Sequence, residues 1–225
     1  MITSSAYYKG QREEIVAFLP SRYFTVLEIG CGEGRFRDNL DQKHEYWGVE
    51  PVESVARIAQ RTLDKVFVGT YQELAEEIPN NYFDLVICND VIEHMPDHDR
   101  FLQSIQEKLK RDGFLVGSVP NVRYIWNLWN LLVKKDWEYK DAGTLDRTHL
   151  RFFTKKSLTR SLVGNGFLID QIAGITPFKP QVDLKGAVFA LAVLLFGPDV
   201  KYVQYAFRVR VRRRESRSPA SANER

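Results

Sequence analysis

Cysteine is nearly missing from this chain: there are only Cys31 and Cys88 in 225 residues, each inside an apolar run that reads as a strand. That scarcity excludes a disulfide-stapled secreted scaffold, and a reducing cytoplasm is the expected setting. Long hydrophobic runs are missing as well. The longest, GAVFALAVLLFG from Gly186 to Gly197, is shorter than the ~20 residues a membrane-spanning helix needs. It reads instead as a buried or interface helix, serving a second copy of the chain or a partner enzyme. The opening MITSSAYYKGQREE has no apolar core, so no signal peptide is expected. A basic face is also absent. Seven of the 32 basic and two of the 29 acidic side chains lie from Arg208 onward, which leaves the first 207 residues with 25 basic against 27 acidic. No nucleic-acid partner is expected from such a body.

What the chain does have is a regular alternation of apolar runs and amphipathic stretches. VLEIG (26–30), YWGVE (46–50), KVFVG (65–69), FDLVICN (83–89) and GFLVGSVP (113–120) read as strands. PVESVARIAQRTL, DHDRFLQSIQEKLK and a segment from about Thr154 have apolar residues recurring at three and four, as helices do. This pattern predicts an α/β fold on a mostly parallel sheet. Between Pro120 and Thr154 the regularity gives way to an aromatic-rich insertion, residues 121–153, of the kind that supplies an acceptor pocket near strand C-termini. FLIDQIAGI (167–175) and YVQYAFRVRV (202–211) read as further strands, the last one half-exposed as an edge or antiparallel strand would be. Residues 1–211 are expected to form a single domain. The arginine-rich tail 212–225 is expected to be disordered.

VLEIGCGEGRF sets Gly30, Gly32 and Gly34 immediately after the first strand. A dinucleotide turn usually follows GxGxxG, because the pyrophosphate rests on the helix N-terminus. Here the third glycine falls one residue early, and the turn suits a ligand that has an amino-acid part and a ribose but no phosphate. Twenty residues after Gly30, Glu50 ends the second strand, where a carboxylate accepts hydrogen bonds from both ribose hydroxyls.

VLEIGCGEG, GVEP, FDLVICNDVIEHMPD and LKRDGFLVGSVPN, taken in order, resemble the successive motifs of class I S-adenosylmethionine-dependent methyltransferases. The resemblance runs from Tyr7 to about Val211. The resemblance implies a Rossmann-like seven-stranded sheet of order 3-2-1-4-5-7-6 with the seventh strand antiparallel. It also implies S-adenosylmethionine as cofactor and S-adenosylhomocysteine as product. It sets the methionine moiety near Glu28, Gly30 and Gly32, the ribose on Glu50, and Asn89 with Asp90 beside the cofactor. Many members carry an acidic residue after the third strand to meet the adenine amine; this chain reads GTYQE, and Thr70 or Tyr71 is expected in its place. WEYKDAGTLDRTHLRFFT is similar to a narrower bacterial group associated with surface-polysaccharide and glycosyltransfer pathways, which implies a sugar-containing small molecule as acceptor.

Methyl transfer to a hydroxyl needs a base, and histidine is scarce, with four in the chain. His149 lies in LDRTHLRFF, where Asp146 is expected to orient it and Arg147 and Arg151 to grip an anionic acceptor. His94 is the second candidate base. Asp90, Glu93, His94 and His98 also recur at helical intervals and have the donors of a divalent-metal site. They resemble the motif of metal-assisted O-methyltransferases acting on quinone precursors or RNA ends, although the same acid and histidine pair is widespread in metal-free relatives; the expectation is no metal. Tyr124, Trp126, Trp129, Trp137 and Tyr139 suit an aromatic wall around an acceptor ring, while Trp126, Trp129 and Val133 also fall at the intervals of a core stripe. Tyr7 and Tyr8 fit either a cover for the cofactor or a hydrophobic staple. The competing function classes are a quinone-type or aryl O-methyltransferase and a non-catalytic cofactor-binding partner of a glycosyltransferase. A dehydrogenase is disfavoured, since no tyrosine precedes a lysine by four.

Overall fold

The computed structural model describes residues 12–40, 44–180 and 184–212; Tyr7, Tyr8 and the tail beyond Arg212 lie outside them. Seven strands form one sheet: β1 Thr25–Ile29, β2 Glu45–Glu50, β3 Lys65–Val68, β4 Phe83–Asn89, β5 Leu109–Pro120, β6 Phe167–Pro177 and β7 Tyr202–Val211. Their order is β3-β2-β1-β4-β5-β7-β6. The first five run parallel, and β7 runs antiparallel to both β5 and β6. This is the class I methyltransferase topology that the motif order implied.

The central strands are apolar without interruption because both their faces are covered. In β1, Leu27 and Ile29 join one core while Val26 joins the other; in β4, Val86 and Cys88 face the first and Leu85 and Ile87 the second. The two cysteines sit on opposite faces of the sheet, both buried and free. Of the two expectations for β7, edge or antiparallel, the antiparallel one holds. β6 closes over its outer side, and Tyr205, Ala206, Phe207 and Val209 are buried.

Among the described residues six α-helices accompany the strands: α1 Glu53–Ala59, α2 Tyr71–Leu74, α3 His98–Lys108, α4 Ile125–Leu132, α5 Lys155–Gly164 and α6 Leu184–Phe196. Asp97 caps α3 by accepting from the Arg100 N–H, and Thr154 caps α5 by accepting from the Ser157 N–H. Leu27 and Ile29 share their core with Phe101, Leu102 and Ile105 of α3. The longest apolar run does form a helix, α6, but Leu191, Leu194 and Leu195 of it stand in solvent, so it is not a core helix. No helix among the described residues is long and apolar enough to cross a membrane.

Parallel strands bring their carboxyl ends to one edge. Gly30, Glu50 and Asn89, which follow or end β1, β2 and β4, therefore meet there from positions up to 59 residues apart.

Candidate active site

A cavity of about 900 Å³ opens at this edge, and Glu28, Gly30, Gly32, Glu50, Asn89 and His94 are among its lining. Its floor is the turn after β1. Gly30 has φ +71°, and a Cβ there would lie 3.2 Å from Val91 Cγ2; only glycine holds that conformation without strain while leaving the floor open. Gly34 does not line the cavity, which corrects its expected place beside the cofactor. It starts the 3-10 turn Arg35–Asn39 at φ +79°, and a Cβ would come within 3.1 Å of Leu63 and 3.0 Å of Thr62. Its missing side chain serves chain packing.

Glu50 is 3% exposed, and both its carboxylate oxygens are held from behind: Oε2 accepts from the Gly32 N–H at 3.0 Å and Oε1 from the Val52 N–H at 2.9 Å. The forward lone pairs face the cavity, spaced for two neighbouring hydroxyls. Burial raises its carboxyl above the ordinary range, and the two backbone donors oppose that shift. Glu28 lies deeper. Burial pushes it up to about 8, although the Tyr46 hydroxyl donates to it at 2.9 Å. A cationic group in the cavity would draw both carboxyls back to the charged form.

Asn89 lines the cavity with both side-chain polar atoms buried and unpartnered. An orphaned buried amide of this kind fits a ligand that supplies both a donor and an acceptor. Asp90 is less free. Its backbone is left-handed at φ +54°, and its carboxylate accepts from Arg12 at 2.6 Å, Ser118 Oγ at 2.9 Å and Gln204 at 2.7 Å. Sequence reasoning missed Arg12, which joins residue 12 to residues 90, 118 and 204 and also lines the cavity. No local pattern marks it, because apart from Glu14 its partners Asp90, Ser118 and Gln204 are remote in the chain.

Beyond β3, neither expected residue presents a free polar group. Thr70 Oγ1 is bound to Glu73 Oε2 at 2.6 Å, and the Tyr71 ring is buried against Phe101 with its hydroxyl on Ser104 at 2.8 Å. Both still border the cavity, as do Gln72 and Glu73. Glu73 is engaged as well, its Oε2 accepting from the Thr70 N–H at 3.1 Å.

On the acceptor side the insertion is pinned back onto the turn after β4. The N–H groups of Leu150 and Arg151 both donate to the Glu93 carbonyl, at 2.9 and 3.3 Å. This sets His149 edge-on to His94, with ring centroids 4.8 Å apart, and brings His149 Nε2 to 4.0 Å from Glu93 Oε1. Glu93 is fully buried and neither of its carboxylate oxygens has a partner; burial raises its carboxyl well above the ordinary range. One ligand atom each from Glu93, His94 and His149 lies within 4.8 Å of the others. His94 lines the cavity, whereas His149 stands behind it. Burial, and then the neighbouring His94, lower the His149 basicity.

Several expectations for this side change. Asp146 does not orient the His149 ring. Its carboxylate accepts from the Thr148 N–H at 2.8 Å and hydroxyl at 2.6 Å, while His149 Nδ1 faces the Thr144 carbonyl at 3.3 Å. Burial pushes the Asp146 carboxyl up, and the Thr148 donors outweigh it, so it rests below the ordinary value. His98 turns away to Asp99 at 3.4 Å and has no place in the Glu93 cluster. Arg147 pairs with Asp141, and Arg151 donates to the Met95 and Pro96 carbonyls. Trp126 and Trp129 are 44% and 40% exposed, and neither lines the cavity, so they form neither a core stripe nor an acceptor wall.

A cavity with buried carboxylates, an orphaned amide and a glycine floor fits an amino-acid nucleoside carrying positive charge. Comparison with known proteins agrees. A family model described as a methyltransferase domain matches residues 8–172. The chain is 27% identical over 176 residues to a ubiquinone biosynthesis O-methyltransferase of Shewanella sp. (strain ANA-3), covering 71% of this chain and 73% of that protein. It is 31% identical over 164 residues to the ubiquinone biosynthesis O-methyltransferase of Bradyrhizobium diazoefficiens, covering 70% of this chain and 63% of that one. A crystal structure of a SAM-dependent methyltransferase from Archaeoglobus fulgidus matches with TM-score 0.62 at 19% identity, over 92% and 94% of the two chains. The chain thus belongs to the class I S-adenosylmethionine-dependent methyltransferases.

Proposed function

We propose that the chain methylates a hydroxyl oxygen on a phenolic ring, with Glu93, His94 and His149 holding a divalent cation beside that oxygen. The observation that carries this is the Glu93 carboxylate: buried, without a partner, and within 4.8 Å of a ligand nitrogen on each histidine. The 4.0 Å separation of His149 Nε2 and Glu93 Oε1 is too long for a hydrogen bond. It suits two donors each ~2.0–2.2 Å from one ion. A cation there would supply positive charge that favours the ionised acceptor hydroxyl. Glu28 and Glu50 would hold the ammonium and the ribose diol of S-adenosylmethionine, and Asn89 would complete its hydrogen bonds. Gln72 and Glu73 border the place for the adenine amine. The sulfonium supplies an already activated methyl group, so the remaining task of the chain is alignment and proton removal.

The phenolic acceptor draws support from the relatives named as ubiquinone O-methyltransferases and from Val91, Met95 and Pro96, which give part of the cavity an apolar lining. A sugar hydroxyl in polysaccharide biosynthesis is the second reading, favoured by the WEYKDAGTLDRTHLRFFT resemblance. Trp137 and Tyr139 pack on Phe152, which contacts His149, and agree with that reading, whereas Arg147 and Arg151 are engaged with Asp141 and with the Met95 carbonyl. The test is turnover against a catechol and against a nucleotide-linked sugar, with and without a chelator. Catechol methylation that disappears with chelator and returns with magnesium or manganese supports the proposal. Undiminished turnover after chelation, or methylation of the sugar alone, overturns it.

A further inference from the structure

Residues 144–148 of the insertion carry hydrogen-bond acceptors to both histidines of the acceptor side. Asp146 takes both donors of Thr148, its Oδ1 accepting from the Thr148 N–H at 2.8 Å and from the hydroxyl at 2.6 Å. Burial opposes ionisation of Asp146, but the Thr148 donors outweigh it and hold the carboxyl below its ordinary value. An ionised carboxylate only accepts, and a hydroxyl has one proton to give. With that proton on Asp146, Thr148 Oγ1 meets its other neighbour, His94 Nδ1 at 3.2 Å, with a lone pair. The Thr148 carbonyl, which also only accepts, lies 3.2 Å from the same nitrogen. A ring nitrogen that faces two acceptors must be the one that holds the hydrogen.

The same stretch treats His149 alike. The Thr144 carbonyl faces its Nδ1 at 3.3 Å, while the Thr144 hydroxyl donates to Asn127 Oδ1 at 2.9 Å. Both neutral rings therefore carry hydrogen on Nδ1 and keep the lone pair on Nε2, the reverse of a free imidazole side chain in water, which favours hydrogen on Nε2. Backbone bonds hold the stretch in place. The His149 N–H donates to the Asp146 carbonyl at 3.0 Å, the Arg147 N–H to the Lys140 carbonyl at 2.9 Å and the Lys140 N–H to the Leu145 carbonyl at 2.9 Å. Thr148 borders the cavity together with His94, and Asp146 is buried behind it.

We propose that Thr148 and Asp146 are positioning residues for His94: Thr148 fixes the hydrogen on Nδ1, and Asp146 holds the Thr148 hydroxyl in its accepting orientation, so that Nε2 stays free to take a cation or an acceptor proton. Asp146 thus acts on the histidine remote in sequence, through one hydroxyl, and not on the His149 ring beside it. A ligating imidazole depends on such an outer partner, which sets its tautomer and its orientation. The inference deepens the reading of His94 as a cation ligand. It rests on that reading for what Nε2 binds, but not for where the hydrogen sits.

The test is long-range proton–nitrogen NMR of the full chain with isotopically labelled histidine, stripped of metal by a chelator and held at pH ~8.5, about two units above the ordinary imidazole value, so that the rings are neutral. His94→Gln identifies the His94 signals. The wild-type chain is expected to show His94 with its hydrogen on Nδ1. Thr148→Val, which keeps the shape and the carbonyl but loses the hydroxyl, should move the tautomer ratio toward the Nε2 form by roughly 2- to 10-fold, the worth of one net hydrogen bond; Thr148→Ser should restore it. Asp146→Ala should move the ratio the same way and add nothing once residue 148 is altered to valine. S-adenosylhomocysteine affinity reports that each variant is folded. A wild-type His94 with hydrogen on Nε2 overturns the proposal, as does a ratio that Thr148→Val leaves unchanged. Manganese calorimetry on the wild-type sample separates this inference from the cation reading: a chain that takes up no manganese while His94 holds its hydrogen on Nδ1 overturns that reading and supports the assignment made here.

Discussion

The two carboxylates on the cofactor side and the one on the acceptor side are all buried, yet they differ in what holds them. Glu50 has a backbone N–H behind each oxygen, and Glu28 has the Tyr46 hydroxyl; Glu93 has nothing at either oxygen. Buried polar groups without partners are costly. A protein that satisfies two such groups and leaves the third orphaned has a finished binding surface on one side. On the other it has a surface that only a bound group completes. The flanking residues are all engaged within the protein. Thr70 and Tyr71 are engaged through their hydroxyls, whereas His94 and His149 are engaged through Nδ1, with Thr148 and with Thr144, and face each other with Glu93 as their neighbour.

This contrast predicts that damage on the acceptor side spares cofactor affinity, and the largest effect expected is there. His149→Ala, which removes a proposed cation ligand, should lower turnover by at least roughly 10–100-fold, the loss that follows removal of even an outer partner of a metal site, while calorimetry finds S-adenosylhomocysteine affinity within about twofold of wild type. A parallel loss of affinity would dissolve the distinction between the two sides. Glu50→Ala should do the reverse. Losing a charge-assisted bond of roughly 1.5–3 kcal/mol weakens cofactor binding by about 10- to 150-fold, and turnover at saturating cofactor should fall much less.

Smaller effects sharpen the picture. The Glu28 carboxyl is raised from 4.5 to about 8 by burial, so between those values the folded chain holds a proton that the unfolded chain has released. Stability is therefore fully present below the lower value and is lost as pH rises through the upper one. Thermal unfolding of the chain without cofactor should show a midpoint that declines across this window. Glu28→Gln should flatten part of the decline; Glu93 and Glu50, shifted in the same direction, account for the remainder. An unchanged pH profile in the variant would show that Glu28 is not the titrating group. Smallest of all should be Tyr71→Phe. Removing a hydroxyl bonded to Ser104 should cost stability by about 1 kcal/mol and leave cofactor affinity unaltered. A measurable loss of affinity would return Tyr71 to the adenine site.

Most of the cofactor side was legible before folding because its determinants are local. A strand, a turn of glycines and an acidic strand end are short patterns, and parallel pairing of β1 with β2 automatically delivers Glu50 to Gly32. Gly34 misled because the same three-glycine string mixes two physical needs. Gly30 keeps the floor open against Val91, while Gly34 avoids Thr62 and Leu63 on the other side. The acceptor side was only half legible. Histidines could be nominated by type, but Asp146 was assigned to His149 on nearness in sequence; the ring instead has the Thr144 carbonyl at Nδ1, and the carboxylate nearest its Nε2 is that of Glu93, 56 residues earlier. Arg12 carried no signal for the same reason.

The sequence by itself determined the sheet, its order through the motif resemblance, and the cofactor, because alternating burial and turn chemistry act over a few residues. Only tertiary structure decided which histidine meets which carboxylate, which aromatic residues reach the cavity, and that α6 lies outside the core. Those outcomes depend on where a 33-residue insertion docks, and that is settled by backbone bonds to Glu93 that no stretch of the insertion encodes alone.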